Sequence, residues 1–260
     1  MKQLSLNGTV IEISGSGPPV VFLHGVGLNQ TIWAEQVKAL SANYQIITYD
    51  LLGHGKSIGV AANSPLAEWV GQLERVVRDL ALGSFSLVGF SFGGMIAQGY
   101  ASKHSGMIDK LVLMSTVYDR NESERAGVLA RLELAKREGP QAIIPAALAR
   151  WFSPCAQPDL LAYYDALLRS NDAASFLSTY ECFARSDTEL RGALKNFKRP
   201  TLVMTGELDM GSTPEMARKL ARVIPAAECS IVPQGRHMMT VEMPGEVNSV
   251  LRRFLEGESL

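Results

Sequence analysis

Apolar residues fall along this chain in short, largely apolar runs that alternate with longer stretches of helical spacing. The runs are Val20 to Leu23, Gln45 to Tyr49, Phe85 to Val88, Leu111 to Met114, Thr201 to Thr205 and Glu228 to Val232. Runs of this length and composition suit strands covered on both faces. Between them, apolar positions recur at helical intervals over Ile32 to Leu40, Leu66 to Leu82, Phe92 to His104, Pro214 to Val223 and Glu246 to Leu255. Pro65 and Pro214 stand at expected first helical positions, each after a Ser or Thr able to cap. Near the start, Asn7-Gly8 between Leu4-Ser5-Leu6 and the run Thr9 to Ile13 predicts a hairpin turn. Strand and helix in alternation predict an α/β protein, its central sheet mostly parallel with helices on both faces.

The alternation stops between Thr116 and about Lys195. Four helical patterns follow one another there, at Arg125 to Glu138, Gln141 to Arg150, Asp159 to Leu168 and Asp172 to Ala184, with no convincing strand. The insertion leaves from the carboxyl end of a strand, the edge at which open α/β sheets hold ligands. It therefore predicts a helical cap of residues 117–195 over a core of residues 1–116 and 196–260. Helices packed away from the site are the competing reading.

The chemistry begins at Gly89-Phe90-Ser91-Phe92-Gly93, which follows one of the strand runs and opens a helical pattern. In that context G-x-S-x-G is a nucleophile elbow. The serine sits on a sharp turn, the glycines let neighbouring backbone come close, and the helix start presents free N–H groups to an oxyanion. A serine hydroxyl needs a base, and the base needs an orienting acid. His237, in the loop after the last strand run, is placed to reach the elbow, whereas His104 lies at the far end of the following helix. His24 and His54 sit in glycine-rich loops that position alone does not set aside. Asp209 follows the strand Thr201 to Thr205 and is the candidate acid, with Glu207 and Asp119 as alternatives. The order Ser91, Asp209, His237 is that of α/β-hydrolases. An oxyanion hole needs two donors; the backbone N–H groups of Phe92 and of Val26, in the loop His24-Gly25-Val26-Gly27, are the candidates.

The rest of the chain narrows the partners. The 260 residues suffice for one substantial core. A net charge of −1 gives no sign of a nucleic-acid or anionic-membrane partner. No apolar run approaches the ~20 residues of a membrane span, and Met1 to Ser5 does not resemble a signal peptide. Cys155, Cys182 and Cys229, odd in number and far apart, predict reduced, packed thiols in a cytoplasmic protein. No residues have metal-ligand spacing and no G-x-G-x-x-G is present, so neither metal nor organic cofactor is expected.

The segments Val21 to Gly27, Asp50 to Ser57, the elbow, Thr205 to Asp209 and Gly235 to His237 together resemble the α/β-hydrolase fold superfamily over nearly the whole chain. Within it, Ala149 to Pro154 and Tyr180 to Asp187 are similar to the cap of the 3-oxoadipate enol-lactonase group. The resemblance implies an α/β-hydrolase fold with an inserted helical cap and cofactor-free cleavage of a small ester or lactone by Ser91, His237 and Asp209. The His24-Gly25 pair departs from the Asn-Ser of that group and is shared with general esterases, cofactor-free perhydrolases and carbon–carbon hydrolases. Those activities remain open beside the lactonase reading, as does a ligand receptor on a hydrolase scaffold. His24, Gly25, Arg131, Arg150, Arg185 and Trp151 are candidate substrate contacts, the arginines because a guanidinium pairs with a carboxylate through a two-pronged fork. Oligomeric state leaves no mark on the sequence.

Overall fold

A computed structural model describes residues 2–258. Strands β1 (Lys2–Leu6) and β2 (Thr9–Ser14) form the expected antiparallel hairpin around Asn7-Gly8, whose φ angles of 49° and 76° are those a tight two-residue turn requires. The remaining strands are β3 (Pro19–Leu23), β4 (Gln45–Tyr49), β5 (Phe85–Phe90), β6 (Ile108–Met114), β7 (Thr201–Gly206) and β8 (Ala227–Val232). The sheet order is β1-β2-β4-β3-β5-β6-β7-β8. β2 joins β4 antiparallel, and every pairing from β4 onward is parallel.

Alternate side chains of the central strands enter different cores. Val21, Leu23, Ile47 and Leu87 pack with Trp69, Met95 and Ile96 of helices α2 (Leu66–Asp79) and α3 (Phe92–Lys103). Val20, Phe22, Ile46 and Val88 pack on the opposite face with Trp33 and with Val247 and Leu251 of α10 (Pro244–Glu256). This period of two explains the continuous apolar runs: both faces are covered, so neither set of positions can be polar. The run predicted as one helix from Ile32 divides into a 3-10 turn, Gln30–Trp33, and α1 (Ala34–Leu40).

Pro214 is the first residue of α8 (Pro214–Val223), and Thr213 caps it by accepting the Met216 N–H at 3.3 Å. Pro65 does not repeat the arrangement. It stands one place earlier, in extended backbone ahead of α2, and the Ser64 hydroxyl donates to the Ala61 carbonyl instead of capping. The thiols also depart from expectation: Cys182 is packed, while Cys155 and Cys229 are exposed.

Between β6 and β7 lie α4 (Glu122–Glu138), α5 (Ile144–Trp151), α6 (Pro158–Arg169) and α7 (Ala173–Arg185), with no strand among them. α4 starts three residues ahead of its apolar stripe because Asn121 and Glu124 form a reciprocal capping box. α4 packs on α7, and α5 on α6. The parallel register decides where these helices sit. Leu23 pairs with Gly89, Phe90 with Met114 and Met114 with Met204. The loops after β3, β5, β6 and β7 therefore emerge side by side, beneath the inserted helices.

Candidate active site

Ser91 stands between β5 and α3 with φ 54° and ψ −115°, a strained conformation for a residue with a Cβ. Its neighbours hold it there. The Ser91 N–H donates to the Met114 carbonyl at 2.9 Å, and the Thr116 hydroxyl donates to the Ser91 carbonyl at 2.8 Å. A Cβ on Gly89 would meet the backbone of Gly93, and one on Gly93 would meet the Leu23 carbonyl. The elbow glycines are thus needed for close approach of backbone to backbone.

Asp209 and His237 meet although 28 residues separate them: His237 Nδ1 lies 2.7 Å from Asp209 Oδ2, and both side chains are buried. A carboxylate oxygen can only accept, so Nδ1 carries the hydrogen, and in the neutral ring the lone pair is on Nε2. The other carboxylate oxygen accepts the N–H groups of Gly211 and Ser212, each at 2.9 Å. Asp209 is therefore fixed in position by its own loop. The His237 ring lies between Phe90 and Trp151, its centroid 5.0 and 5.6 Å from theirs. The two alternative acids are engaged elsewhere. Glu207 accepts the Gln234 N–H at 2.9 Å, and Asp119 pairs with Arg191.

Ser91 and His237 line one cavity of about 210 Å³, closed on the far side by residues of α4 to α7. Gly25 and Val26 form part of its wall. The Val26 N–H donates to none of the described residues, and Phe92 is the first residue of α3, where an N–H has no acceptor within the helix. The Phe92 ring itself turns away and packs on Trp69 at 5.1 Å. Arg131 reaches the cavity from α4, and Arg150 and Trp151 reach it from α5. Arg131 donates its Nε–H to the Tyr180 hydroxyl at 3.2 Å. Burial, and after it the neighbouring Arg131, hold the Arg150 pKa below the usual arginine value, with Tyr180 acting the other way.

Residues 20–250 match the model of the alpha/beta hydrolase family. The chain belongs to that family. A relative in Acinetobacter baylyi, (E)-2-((N-methylformamido)methylene)succinate hydrolase, is 29% identical over 98% of this chain and 97% of its own. The 3-oxoadipate enol-lactonase 2 of the same organism is 24% identical over 91% of this chain and 90% of its own. Among solved structures, the enol-lactonase from Burkholderia xenovorans LB400 superposes with a TM-score of 0.89 at 26% identity, covering 98% of this chain and all of that one.

Two of the expected substrate contacts lie elsewhere in this α/β hydrolase. His24 is fully buried and does not line the cavity. Its Nδ1–H donates to the Gly25 carbonyl at 2.8 Å, and its Nε2 accepts the Leu51 N–H at 2.9 Å. The ring thereby holds the peptide group whose nitrogen is that of Val26, so His24 shapes the loop rather than touching a ligand. His54 acts alongside it, accepting the Gly27 N–H at 2.9 Å. Arg185 is also off the cavity; it pairs on the surface with Glu181, one helical turn away, at 3.0 Å.

Sequence reading missed Phe90, Phe176, Tyr180 and Arg120, all of which line the cavity of this α/β hydrolase. Phe90 was within reach of inference, because the last strand residue before the elbow must flank the nucleophile. Arg120 carried no local signal. Its partner Asp187, at 3.1 Å, lies 67 residues away. Among the described residues no helix of this α/β hydrolase is long and apolar enough to cross a membrane.

Proposed function

We propose that this α/β hydrolase cleaves a small ester or lactone bearing a carboxylate, through an acyl-enzyme formed on Ser91. On this reading residues 1–116 and 196–260 are the catalytic core and residues 117–195 its cap. One observation carries the proposal: a serine held at positive φ just past a strand end shares a cavity with a histidine whose Nδ1 is tied to a buried carboxylate.

The chemistry then runs in two halves. Ser91 Oγ bonds to the substrate carbonyl carbon while its proton passes to His237 Nε2, and Asp209 stabilises the imidazolium that results. The carbonyl oxygen, now an anion, takes hydrogen bonds from the N–H groups of Val26 and Phe92. As the tetrahedral centre collapses, the carbon–oxygen bond to the leaving group breaks and Nε2–H protonates the departing oxygen. In a lactone that oxygen stays attached to the acyl chain. Water, deprotonated by His237, then attacks the acyl carbon; as that second tetrahedral centre collapses, the bond from carbon to Ser91 Oγ breaks, Nε2–H returns its proton to Oγ, and the carboxylic acid leaves. Neither a metal nor an organic cofactor takes part.

Two features support a small, carboxylated substrate. The cavity is about 210 Å³ and has Arg131 and Arg150 in its wall, and a guanidinium takes a carboxylate by charge-assisted, paired hydrogen bonds. The names of both Acinetobacter baylyi relatives also denote carboxylate compounds, a substituted succinate and a derivative of 3-oxoadipate. The test is a fluorophosphonate probe followed by peptide mass analysis, with p-nitrophenyl acetate turnover measured in parallel. The Ser91 peptide should carry the adduct, and Ser91→Ala should lose it together with roughly 10⁴ to 10⁶ of the rate. A label on another residue, or an Ala variant retaining more than about a tenth of the rate on that scale, would remove Ser91 from the mechanism.

A further inference from the structure

The turn Gly25-Val26-Gly27-Leu28 is held from two directions. The Leu28 N–H donates to the Gly25 carbonyl at 3.3 Å, and the His24 Nδ1–H donates to the same oxygen at 2.8 Å. His54 Nε2 accepts the Gly27 N–H at 2.9 Å. Those contacts come from the turn itself and from the loops after β3 and β4. One more comes from the inserted helices: the Asn171 side-chain amide donates to the Gly27 carbonyl at 2.9 Å, across 144 residues of sequence. Among the described residues no other side chain of residues 117–195 hydrogen-bonds to this turn.

Asn171 stands between α6 and α7 and does not line the cavity. Its Nδ2 also lies 3.1 Å from each of the Leu167 and Leu168 carbonyls, at the end of α6, where a helix runs out of donors of its own. An oxygen in that place could not donate to three carbonyls, so the neighbours settle which way the amide faces. The side chain is thus fixed to its own helix end and passes that position on to Gly27. Packing adds to the tie: a Cβ on Gly27 would meet Leu168 Cδ2 at 2.6 Å and Phe176 Cε2 at 3.0 Å. One residue earlier, the Val26 N–H donates to no described residue. A free donor keeps its direction only as well as its loop is held, and a displacement on the order of 1 Å at a reacting centre costs up to about 10²-fold in rate.

We propose that Asn171 is a positioning residue for the oxyanion hole: its amide holds the Gly27 carbonyl so that the Val26 N–H stays directed at the substrate oxygen. This rests on the hydrolase reading above, in which that N–H takes the oxyanion. Asn171 touches no part of the cavity, so its loss spares substrate binding and acts on the transition state alone. By sequence it belongs to the inserted helices; by contact it serves the loop after β3.

The experiment compares wild type with Asn171→Asp and Asn171→Leu. The first keeps the shape but faces three carbonyls with acceptors only, and the second removes the polar group. Turnover of p-nitrophenyl acetate is measured together with inhibition by phenylboronic acid. The boron takes an electron pair from Ser91 Oγ as the serine proton passes to His237, and the tetrahedral boronate places an oxygen where the oxyanion would form. Each variant should lose roughly 10- to 50-fold in kcat, short of the ~10² to 10³ that removal of a whole donor costs. KM should stay within about twofold, and boronate affinity should fall by the same factor as kcat. A merely structural role would lower the urea midpoint and leave the kcat and boronate affinity of the folded protein unchanged. Folded variants whose kcat lies within about twofold of wild type, or a fall in kcat with none in boronate affinity, would overturn the assignment. Should neither variant fold, the wild-type protein still decides. By linkage, bound boronate should slow hydrogen exchange at the Asn171 side-chain amide, and unchanged exchange would overturn the proposal. The two readings fail distinguishably. A protein that takes no fluorophosphonate on Ser91 defeats the hydrolase reading and this proposal with it, whereas a labelled, active protein indifferent to Asn171 defeats this proposal alone.

Discussion

The two walls of the cavity are built on opposite principles. On the sheet side, the side chains and loops that would take part in the reaction are held by hydrogen bonds, and the Val26 and Phe92 N–H groups are left free. Asp209 is held by three donors, His24 and His54 each use both ring nitrogens on backbone, and Ser91 is tied to Met114 and Thr116. On the side of the inserted helices, Arg131 and Arg150 reach the cavity, and neither has a carboxylate partner among the described residues. A satisfied wall is rigid and holds its groups in place for a reaction, which is what chemistry common to many substrates needs. A wall with free donors is complete only when a ligand supplies the acceptors. On the proposed mechanism, bond-breaking belongs to the sheet side and substrate choice to the inserted helices.

Changes on the sheet side should therefore lower kcat, and changes on the cap side should raise KM. The largest expected effect after loss of the nucleophile is Asp209→Asn, which leaves the shape but favours the wrong histidine tautomer. It should lower kcat by roughly 10³ to 10⁴, whereas Asp119→Asn and Glu207→Gln stay near wild type. A larger loss at Asp119 would move the acid to the end of β6 and break the assignment. Next in size is Arg150→Ala, which should raise KM for a carboxylated ester by roughly 30-fold and barely alter that for a matched neutral ester. Arg185→Ala serves as the control on the same helical cap and should leave both constants within about twofold, as exposed pairs contribute little. Equal responses to the two substitutions would erase the cap's claim to specificity.

A third effect belongs to the sheet wall and concerns stability. Burial, the first cause in each case, lowers the pKa of His24 to about 4 and that of His54 to about 3. In the unfolded chain both titrate near 6.5. Between about pH 6.5 and 4 the unfolded state therefore binds protons that the folded state refuses, so stability falls as pH falls through that window and is level above it. By pH 5 the loss is about 2 kcal/mol for each histidine. Urea midpoints at pH 7.5 and pH 5 measure it. A His54→Gln variant should show a shallower dependence than wild type, and an identical dependence would mean that His54 is not held neutral. The smallest expected effect is none at all: dialysis against EDTA should leave the rate unchanged, and a loss restored by a divalent ion would contradict the cofactor-free mechanism.

How much of this was legible beforehand follows the same division. Strand runs, the Asn7-Gly8 turn and the elbow were readable because each is a local pattern with a local cause. Pro65 misled because Ser64 found a carbonyl at Ala61 rather than the helix N-terminus. His24 misled more instructively. A histidine beside an oxyanion loop has the chemistry of a ligand contact, and only its burial shows that both nitrogens are already spent on backbone. Arg150 and Arg185, near the ends of two cap helices, looked equivalent as sequence. One turns into the cavity, and the other meets Glu181 one helical turn back.

By itself the sequence determined the sheet with its alternating helices, the helical insertion and the order in which serine, acid and histidine arrive. Those depend on periodicity, turn chemistry and chain order, which neighbouring residues settle among themselves. Only the tertiary structure decided which arginines face the cavity, that Asp187 pairs with Arg120 and Arg125 rather than with Arg150, and that the Tyr180 hydroxyl meets Arg131. Long charged side chains choose among partners many residues apart, and that choice is made by burial and distance, neither of which a linear pattern contains.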